Sequence, residues 1–293
     1  MKKLLITGST GFLGYHLTRA ACSEWQVFGV ARTLTHDPHV TLVRSCDITN
    51  YIELGNFIED LEPDAIIHAA AIADANFCEQ NREQSYAVNV EASKNVAGIC
   101  ADYNIPMVFT STDLVFDGKK RMYTEEDTKN PVSAYGQQKS IAEEEILKIY
   151  PSATIARLPM MFGHAWASRT SYLQKFIKQL RNSERPALFY DEYRSVCGAP
   201  SVASGILQLM GEPGVIHIAG RERLSRYEFG LLAAKAFGLD ESLLNKCSQK
   251  DVPMAAPRPA DVSLDIAKAL GLGYSPLNVA EELQLIADLN LYR

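Results

Sequence analysis

Three side chains in the middle of the sequence have the types and the spacing needed to move a proton to a carbonyl oxygen. Tyr135 and Lys139 are four positions apart, so they share one face of the helix that the sequence predicts over residues 133–150. An ammonium one turn away favours the phenolate, which predicts a Tyr135 pKa below its usual value of about 10. Such a pair alone is more typical of a solvated helix surface. Thr112 ends the preceding predicted strand and favours the catalytic interpretation, because ligands bind at that edge of a parallel sheet.

A glycine-rich turn close to the start of the chain has the pattern of a dinucleotide-binding loop. The apolar stretch 4–6 runs into glycines at 8, 11 and 14, so a buried strand leads directly into a helix. Gly8 permits a tight turn, Gly11 allows backbone N–H groups to approach a pyrophosphate, and Gly14 allows the helix to lie against the strand. The positive end of the helix dipole then faces the phosphates. An ordinary strand-to-helix turn is the alternative, and the β-α-β pattern that follows weakens it.

Residues at the ends of later strands complete the predicted cofactor site. Arg32 follows the second predicted strand, where a carboxylate would select NAD, and a guanidinium there favours the 2′-phosphate of NADP. A solvated arginine is the alternative. Asp47 could accept a hydrogen bond from adenine, and the small residues 69–71 leave space for the cofactor. The cofactor-binding residues predicted from these strand ends and from the glycine turn are Gly8, Thr10, Gly11, Phe12, Leu13, Gly14, Arg32, Asp47, Ile48, Ala69, Ala70 and Ala71.

Length and composition are those of an ordinary globular protein. The chain has 293 residues, 47% hydrophobic residues and a formal net charge of −6, which argues against a nucleic-acid partner. No apolar run approaches the roughly 20 residues of a membrane helix, and the first residues form a predicted strand rather than a signal peptide. We therefore expect a cytoplasmic protein with no membrane partner. The six cysteines include no C-x-x-C pair, which favours reduced thiols, and no metal site is predicted.

Predicted strands and helices alternate along the sequence. Helices predicted at 11–23, 51–61 and 79–103 separate short apolar strands. This order is typical of an α/β fold with a doubly wound parallel sheet of the Rossmann type. Three prolines among residues 253–259 predict an extended segment, which we expect to lie over the substrate cleft.

These residues occur in the order and spacing of a known superfamily. Thr7-Gly-x-x-Gly-x-x-Gly14, the small residues 69–71, Thr112 and Tyr135-x-x-x-Lys139 resemble an extended short-chain dehydrogenase/reductase, over the whole chain. More narrowly, the segments 111–118, 123–127, 130–139 and 258–265 resemble the dTDP-4-dehydrorhamnose reductase group.

The resemblance implies an NADP(H)-dependent reductase of a carbonyl, with the 4-keto group of a nucleotide-linked deoxysugar as the expected substrate. Tyr135 would give the proton, Thr112 would donate to the carbonyl oxygen, and Lys139 would bind the nicotinamide ribose, so that Tyr135 and Lys139 also contact the cofactor. It further implies a dinucleotide-binding domain of residues 1–157, joined again by about 198–218. A smaller C-terminal substrate-binding lobe would comprise residues 158–197 and 219–293, and a homodimer is compatible with this organisation.

Two other functions stay open. The same group includes proteins that resemble the regulatory beta subunit of methionine adenosyltransferase and serve as partners of another enzyme. The superfamily also includes sugar-nucleotide epimerases and dehydratases. Asp113 follows Thr112 in this sequence, but the glutamate of a dehydratase pattern does not accompany it.

The substrate residues are where this sequence departs from the group. Met160 stands in the segment Arg157-x-x-Met-x-x-Gly163, where the group usually has an aromatic, and a thioether cannot stack on a sugar as an indole would. Arg194 could hold a substrate diphosphate or lie on the surface as a structural arginine. The predicted substrate-binding residues are Asp113, Met160, Arg194 and Arg258. Trp166, Tyr172 and Tyr193 could supply the missing ring, but core or surface packing is the more typical role for each.

Overall fold

Short strands alternate with helices along the chain, of which the computed structural model describes residues 1–33, 37–165 and 170–289. The strands are β1 (Lys2–Thr7), β2 (Trp25–Ala31), β3 (Leu42–Ser45), β4 (Ala65–His68), β5 (Met107–Thr112), β6 (Thr154–Leu158), β7 (Met161–Phe162), β8 (Ala187–Phe189), β9 (Tyr193–Arg194), β10 (Cys197–Gly198), β11 (Gly214–His217), β12 (Leu224–Ser225) and β13 (Asn245–Cys247). The helices are α1 (Phe12–Ala21), α2 (Tyr51–Leu61), α3 (Ala75–Gln80), α4 (Arg82–Tyr86), α5 (Ala92–Tyr103), α6 (Ala134–Ile149), α7 (Tyr172–Arg181), α8 (Ala199–Gln208), α9 (Arg226–Ala236), α10 (Ala267–Gly271) and α11 (Val279–Asp288).

Seven of these strands form one parallel sheet in the order β11-β6-β5-β4-β1-β2-β3. The chain starts in the middle at β1, moves outward through β2 and β3, and continues from β4 on the other side of β1. The direction of winding therefore reverses between β1 and β4. In such sheets ligands bind at the carboxyl ends of the strands beside that point. The prediction of an α/β doubly wound parallel sheet is confirmed.

Helices cover both faces of the sheet. On one face α1 and α8 pack against each other and bury Leu17 and Ile206 in the same core as Leu4 of β1. On the other face α2 and α5 bury Leu54 and Val96. A strand that is buried on both faces is apolar at consecutive positions, which explains the unbroken apolar stretch 4–6 in the sequence.

One predicted element is wrong, because residues 79–103 do not form a single helix. The chain instead forms part of α3, then α4, a π-helical turn at Ala87–Glu91, and α5. The break lies at Asn81, whose backbone angles (φ −132°, ψ 58°) are not helical. The carbonyl oxygen of Asn81 accepts a hydrogen bond from the Ser85 hydroxyl at 2.9 Å. Short polar side chains that bond to nearby backbone groups in this way compete with a regular helix.

The residues after β6 build a further hydrophobic core and also return to the sheet. Helices α7, α9 and α11 surround Phe176, Phe229 and Leu283. Between α7 and α9 the chain passes through α8 to β11, which pairs in parallel with β6 at the edge of the sheet. This path agrees in outline with a nucleotide-binding domain that is left after residue 157 and joined again at about 198–218. The division into two lobes stays a prediction.

A buried carboxylate holds the C-terminal helix to α8. Glu282 of α11 accepts hydrogen bonds from the backbone N–H of Gly198 at 2.6 Å and from the hydroxyl of Ser201. Gly198 precedes α8 and has no side chain that could cap it. Helix α8 therefore takes the acceptor for its first turn from another helix. Burial raises the pKa of Glu282.

Three further features bear on the sequence predictions: membrane helices, thiols and metal sites. Within the described ranges, no helix is both long and apolar enough to cross a bilayer. The six cysteines are free thiols. Among the residues that the structure describes, no three His, Cys, Asp or Glu side chains are grouped so as to hold a metal ion.

Candidate active site

The turn between β1 and α1 presents backbone rather than side chains. Gly8 has a φ of +71°, and a Cβ atom there would lie 2.8 Å from the backbone of Ala70. A larger residue would therefore be strained and would push apart the ends of β1 and β4. Helix α1 starts directly after Gly11, which makes no side-chain cap, and no acidic residue occupies its first turn. Free N–H groups at a helix start bind anions, so this turn fits the pyrophosphate of a dinucleotide.

Two adjoining cavities open at the carboxyl edge of the sheet. The larger has a volume of about 940 Å³ and the smaller about 210 Å³, and Gly8, Gly11 and Arg32 line both. Every residue of the predicted site lines one cavity or both. The larger is lined by Gly8, Gly11, Phe12, Leu13, Gly14, Arg32, Ala69, Ala71, Thr112, Asp113, Tyr135, Lys139, Met160, Arg194 and Arg258. The smaller adds Thr10, Asp47, Ile48 and Ala70.

The smaller cavity has features that fit the adenosine end of NADP. Arg32 is exposed at the end of β2, and within the described ranges no carboxylate pairs with its guanidinium. Asp47 accepts hydrogen bonds from the backbone N–H and the hydroxyl of Thr49 through Oδ1, at 3.0 and 2.8 Å, so Oδ2 can serve a ligand. Ile48 and Ala70 form an apolar part of the wall of this cavity. A purine with a 2′-phosphate matches this combination.

Helix α6 brings Tyr135 and Lys139 to the end of β5. Gly136 makes this approach possible, because a Cβ atom there would lie 2.2 Å from the carbonyl oxygen of Leu114, just beyond β5. Tyr135, Lys139 and Thr112 line the larger cavity with exposed fractions of 8%, 1% and 7%. The three side chains predicted to be catalytic therefore meet in one shielded space.

Thr112 stands where β5 ends and a short 3₁₀ turn, Asp113–Val115, begins. Its hydroxyl accepts a hydrogen bond from the N–H of Leu114 and donates one to Asp113, both at 3.2 Å. A hydroxyl hydrogen can rotate, so Thr112 can donate to a ligand oxygen in the cavity instead.

Burial sets the protonation of the tyrosine and the lysine. It raises the pKa of Tyr135 well above the usual value, and the charge of Asp113 adds to the shift. Burial also lowers the pKa of Lys139 to about 7, although Glu143 opposes this change. The prediction of a lowered Tyr135 pKa is therefore wrong, because the loss of water around the phenol favours its protonated form. Tyr135 keeps its proton at neutral pH and can donate it.

A chain of alternating charges lines another part of the larger cavity. Arg194 lies between two buried carboxylates, Asp113 at 3.4 Å and Glu192 at 3.3 Å. Glu192 also pairs with Arg258 at 3.2 Å. Burial raises the pKa of Asp113 in spite of Arg194, whereas the arginines around Glu192 outweigh its burial and lower its pKa. Arg194 is 5% exposed, so it does not lie on the surface, and its contact with a substrate stays a prediction.

Met160 also lines the larger cavity, and its sulfur touches the guanidinium of Arg226. Two of the proposed replacement rings lie elsewhere. Tyr172 lies 4.2 Å below the Arg226 guanidinium and Tyr193 lies 3.5 Å below that of Arg223, and neither ring lines the cavity. Trp166 lies outside the described residues.

The proline-rich segment 253–259 reaches the larger cavity through one residue. The N–H of Ala256 donates to the side-chain oxygen of Asn76 in α3 at 3.0 Å, and Arg258 lines the cavity itself. The segment thus connects the C-terminal part of the chain to a helix that follows β4. The position of the segment over the substrate cleft stays a prediction.

One family model matches almost the whole chain, that of the RmlD substrate binding domain, over residues 1–289. The chain belongs to this family. The predicted membership of the extended short-chain dehydrogenase/reductases, near the dTDP-4-dehydrorhamnose reductases, is confirmed, and with it the prediction of an NAD(P)-dependent oxidoreductase.

Known proteins resemble the chain over nearly their full length. The probable low-salt glycan biosynthesis reductase Agl14 of Haloferax volcanii is 28% identical over 285 residues, which cover 95% of this chain and 95% of that protein. Methionine adenosyltransferase 2 subunit beta of Xenopus laevis is 29% identical over 285 residues, 93% of this chain and 83% of that protein. The crystal structure of a dTDP-4-dehydrorhamnose reductase from Clostridium acetobutylicum has a TM-score of 0.87 at 26% identity and covers 98% of this chain and 99% of its own.

Three charged residues at the site are absent from the predicted set. Glu192 and Arg226 line the larger cavity, and Glu143 is buried one turn beyond Lys139 on α6. Glu143 could have been found, because Tyr135, Lys139 and Glu143 repeat at intervals of four and so lie on one helix face. Glu192 and Arg226 have no comparable local signal.

Proposed function

We propose that this protein is an NADPH-dependent reductase that converts a keto group to a hydroxyl, with the 4-keto group of a nucleotide-linked 6-deoxysugar as its substrate. One observation carries the proposal: the glycine turn, the Thr112/Tyr135/Lys139 trio and a group of arginines line one continuous cavity. The turn suits a dinucleotide, the trio suits a carbonyl, and the arginines suit an anionic ligand. The relatives described as reductases support the same reaction class.

The residues around the carbonyl have separate roles. NADPH, when bound, supplies the hydride that the carbonyl carbon receives. Tyr135 gives its proton to the carbonyl oxygen, and its raised pKa keeps that proton in place until the oxygen becomes basic. Thr112 donates a hydrogen bond to the same oxygen. Lys139 binds the nicotinamide ribose, and its ammonium offsets the charge of the phenolate that remains.

The charged cluster defines what kind of substrate fits. Arg194 is already enclosed by two carboxylates, so it organises the site, and the less buried Arg226 and Arg258 are the partners for a substrate diphosphate. Asp113 and Glu192 retain lone pairs that can accept from sugar hydroxyls. Met160 offers an apolar contact but no ring to stack on. The sugar is thus recognised through hydrogen bonds rather than through an aromatic platform.

Steady-state turnover tests this proposal. NADPH oxidation is followed with a series of dTDP-4-keto-6-deoxysugars, and cofactor binding is measured separately by calorimetry. Oxidation that depends on the sugar and yields a 4-hydroxy product supports the proposal. If NADPH binds and no nucleotide sugar is reduced, the proposed substrate is wrong.

A cofactor-binding regulatory subunit is the second candidate function, and the similarity to methionine adenosyltransferase 2 subunit beta favours it. Isolation of the protein from its native cells with its bound partners, followed by mass spectrometry, distinguishes the two. A stable enzyme partner together with no reduction of any keto-sugar would support the regulatory function. Turnover without a partner supports the reductase.

A further inference from the structure

We propose that Glu143 is a positioning residue, which ties the helix face carrying Tyr135 and Lys139 to the neighbouring strands and whose charge favours the ammonium form of Lys139. The proposal rests on the reductase function proposed above, since it concerns how the catalytic side chains of that reaction are held.

Glu143 is 1% exposed and uses both of its carboxylate oxygens. Oε1 accepts hydrogen bonds from Nε of Arg157 at 3.1 Å and from the Ser111 hydroxyl. Oε2 accepts from Nη2 of Arg157 at 2.9 Å and lies 3.3 Å from the ammonium of Lys129. A bidentate pair of this kind fixes both the distance and the orientation of its partners.

These contacts join the elements on which the catalytic side chains lie. Glu143 is one turn beyond Lys139 and two turns beyond Tyr135 on α6. Ser111 directly precedes Thr112 on β5, and its register partner on β6 is Arg157. Glu143 therefore spans two adjacent strands at the level of Thr112. A shift of α6 along β5 would break this arrangement and change the distance between the tyrosine and the threonine.

Arg157 is also held from its other side. Its Nη1 atom lies 3.3 Å from Nε2 of His217, on the edge strand β11, and 3.5 Å from the carbonyl oxygen of Glu125. These contacts hold the guanidinium of Arg157 in place if α6 moves. The ion pair between Glu143 and Arg157 therefore resists a shift of α6.

The surroundings of Lys139 offer little other negative charge. Its ammonium lies 4.0 Å from the centre of the Phe109 ring on β5. On β4 the nearby titratable group is His68, and burial lowers its pKa to about 3, so it is neutral at neutral pH. On α6 Tyr135 keeps its proton and Glu143 is ionised, and on β6 the charged group is the cation of Arg157. Asp113, in the turn after β5, lines the same cavity but pairs with Arg194. Among the described residues Glu143 is the charge that raises the pKa of Lys139, so without it Lys139 would lose its proton at a lower pH.

The first test measures Lys139 in the free protein and needs no substrate. Urea unfolding is followed from about pH 4 to about pH 10 for the wild type and Lys139→Met, and for the same two chains in a Glu143→Gln/Arg157→Gln background, in which both members of the buried pair are neutral. A lysine that is neutral when folded and protonated when unfolded makes stability rise with pH. The difference in unfolding free energy between the protein with Lys139 and its Lys139→Met variant therefore becomes constant below the folded pKa of Lys139.

We expect the pH at which this difference becomes constant to fall by on the order of one unit in the neutral-pair background. The control is Glu145→Gln, on the exposed side of the same helix, where Glu145 pairs with Lys148 and no change is expected. An unchanged value in the neutral-pair background would overturn the role of the charge. If that background does not unfold cooperatively, Glu143→Gln/Arg157→Met, which also removes both charges, is measured in its place, and the same direction of shift is required.

The positioning role has a kinetic test. Arg157→Lys keeps the positive charge but loses the bidentate geometry, so we expect kcat to fall by about tenfold or more while KM for the cofactor stays close to that of the wild type. Ser111→Ala, which removes one neutral donor, should cost less. An unchanged kcat in Arg157→Lys would overturn the positioning role. If the wild type itself shows no turnover, the proposed function fails, and the unfolding measurements still decide the role of the Glu143 charge.

Discussion

The protonation of Tyr135 follows from where its side chain lies. The phenol is shielded from water, and Asp113 stands near it, so a phenolate would be costly in the free protein. A reductase needs this group as an acid, and burial keeps it in that form. The sequence predicted a lowered pKa for Tyr135, and the structure reverses the direction of that shift, while the catalytic role of the residue stays a prediction.

Removal of the Tyr135 hydroxyl should separate catalysis from binding. We expect Tyr135→Phe to lower kcat by roughly 10²–10⁴-fold, because general-acid help is lost while the ring still fills its place. NADPH affinity, measured by calorimetry, should change little. Tyr150→Phe is the control, since Tyr150 is a buried tyrosine just beyond the far end of the same helix. Turnover of Tyr135→Phe at the wild-type rate would exclude Tyr135 as the acid.

Arg32 should decide between the two nicotinamide cofactors. Its guanidinium has no carboxylate partner within the described ranges and lines both cavities, so it is available to a 2′-phosphate. We expect NADPH to bind more tightly than NADH, and Arg32→Ala to weaken NADPH by about tenfold or more, as a lost charged hydrogen bond would. NADH affinity in the same titrations is the internal control and should stay the same. Equal affinities for both cofactors before and after the substitution would make Arg32 a solvated surface residue.

Local patterns determine most of the elements, and the exceptions have a physical cause. The helix α2 agrees with its predicted bounds, because its apolar spacing and its Asn50 cap are both local features. The helix predicted at 79–103 fails at Asn81, whose backbone leaves the helical conformation and whose side chain donates to the carbonyl oxygen of Phe77 at 3.1 Å. Such competition depends on geometry that a hydrophobic pattern does not contain.

The contact between α11 and α8 should make the free energy of unfolding depend on pH. Burial raises the folded pKa of Glu282 above its usual value of 4.5, so the folded chain binds more protons than the unfolded chain between these two values. The stability that this group contributes therefore falls as the pH rises through that interval, with a slope of at most about 1.4 kcal/mol per pH unit.

Glu282→Gln tests this term, because the amide oxygen can still accept from the N–H of Gly198. We expect the wild type to lose stability relative to the variant as the pH rises above about 4.5, measured by urea unfolding. The control is Glu281→Gln, at the exposed neighbouring position on α11. A stability difference that does not depend on pH would show that Glu282 titrates normally.

The complete cavity requires the whole fold. The glycine turn, the strand ends and the Tyr135/Lys139 pair could be predicted because each is a local motif and because parallel strands bring their carboxyl ends to one edge. Glu192 and Arg226 could not, since they meet only where β9 pairs with β12 and the N–H of Arg226 donates to the carbonyl oxygen of Glu192 at 3.1 Å. The part of the site that selects the substrate is thus formed by long-range pairing.

Isotope transfer between cofactor and sugar is the most direct test of the proposed reduction of a 4-keto sugar by NADPH. The protein is incubated with NADPH deuterated at nicotinamide C4, separately in each of the two positions, and with a dTDP-4-keto-6-deoxysugar. The product is analysed by mass spectrometry and NMR. We expect deuterium at C4 of the sugar when one of the two labelled forms of NADPH is used and not when the other is used. We also expect Tyr135→Phe to lose this product. A product without deuterium at C4, or no product while NADPH is bound, would contradict the proposed reduction.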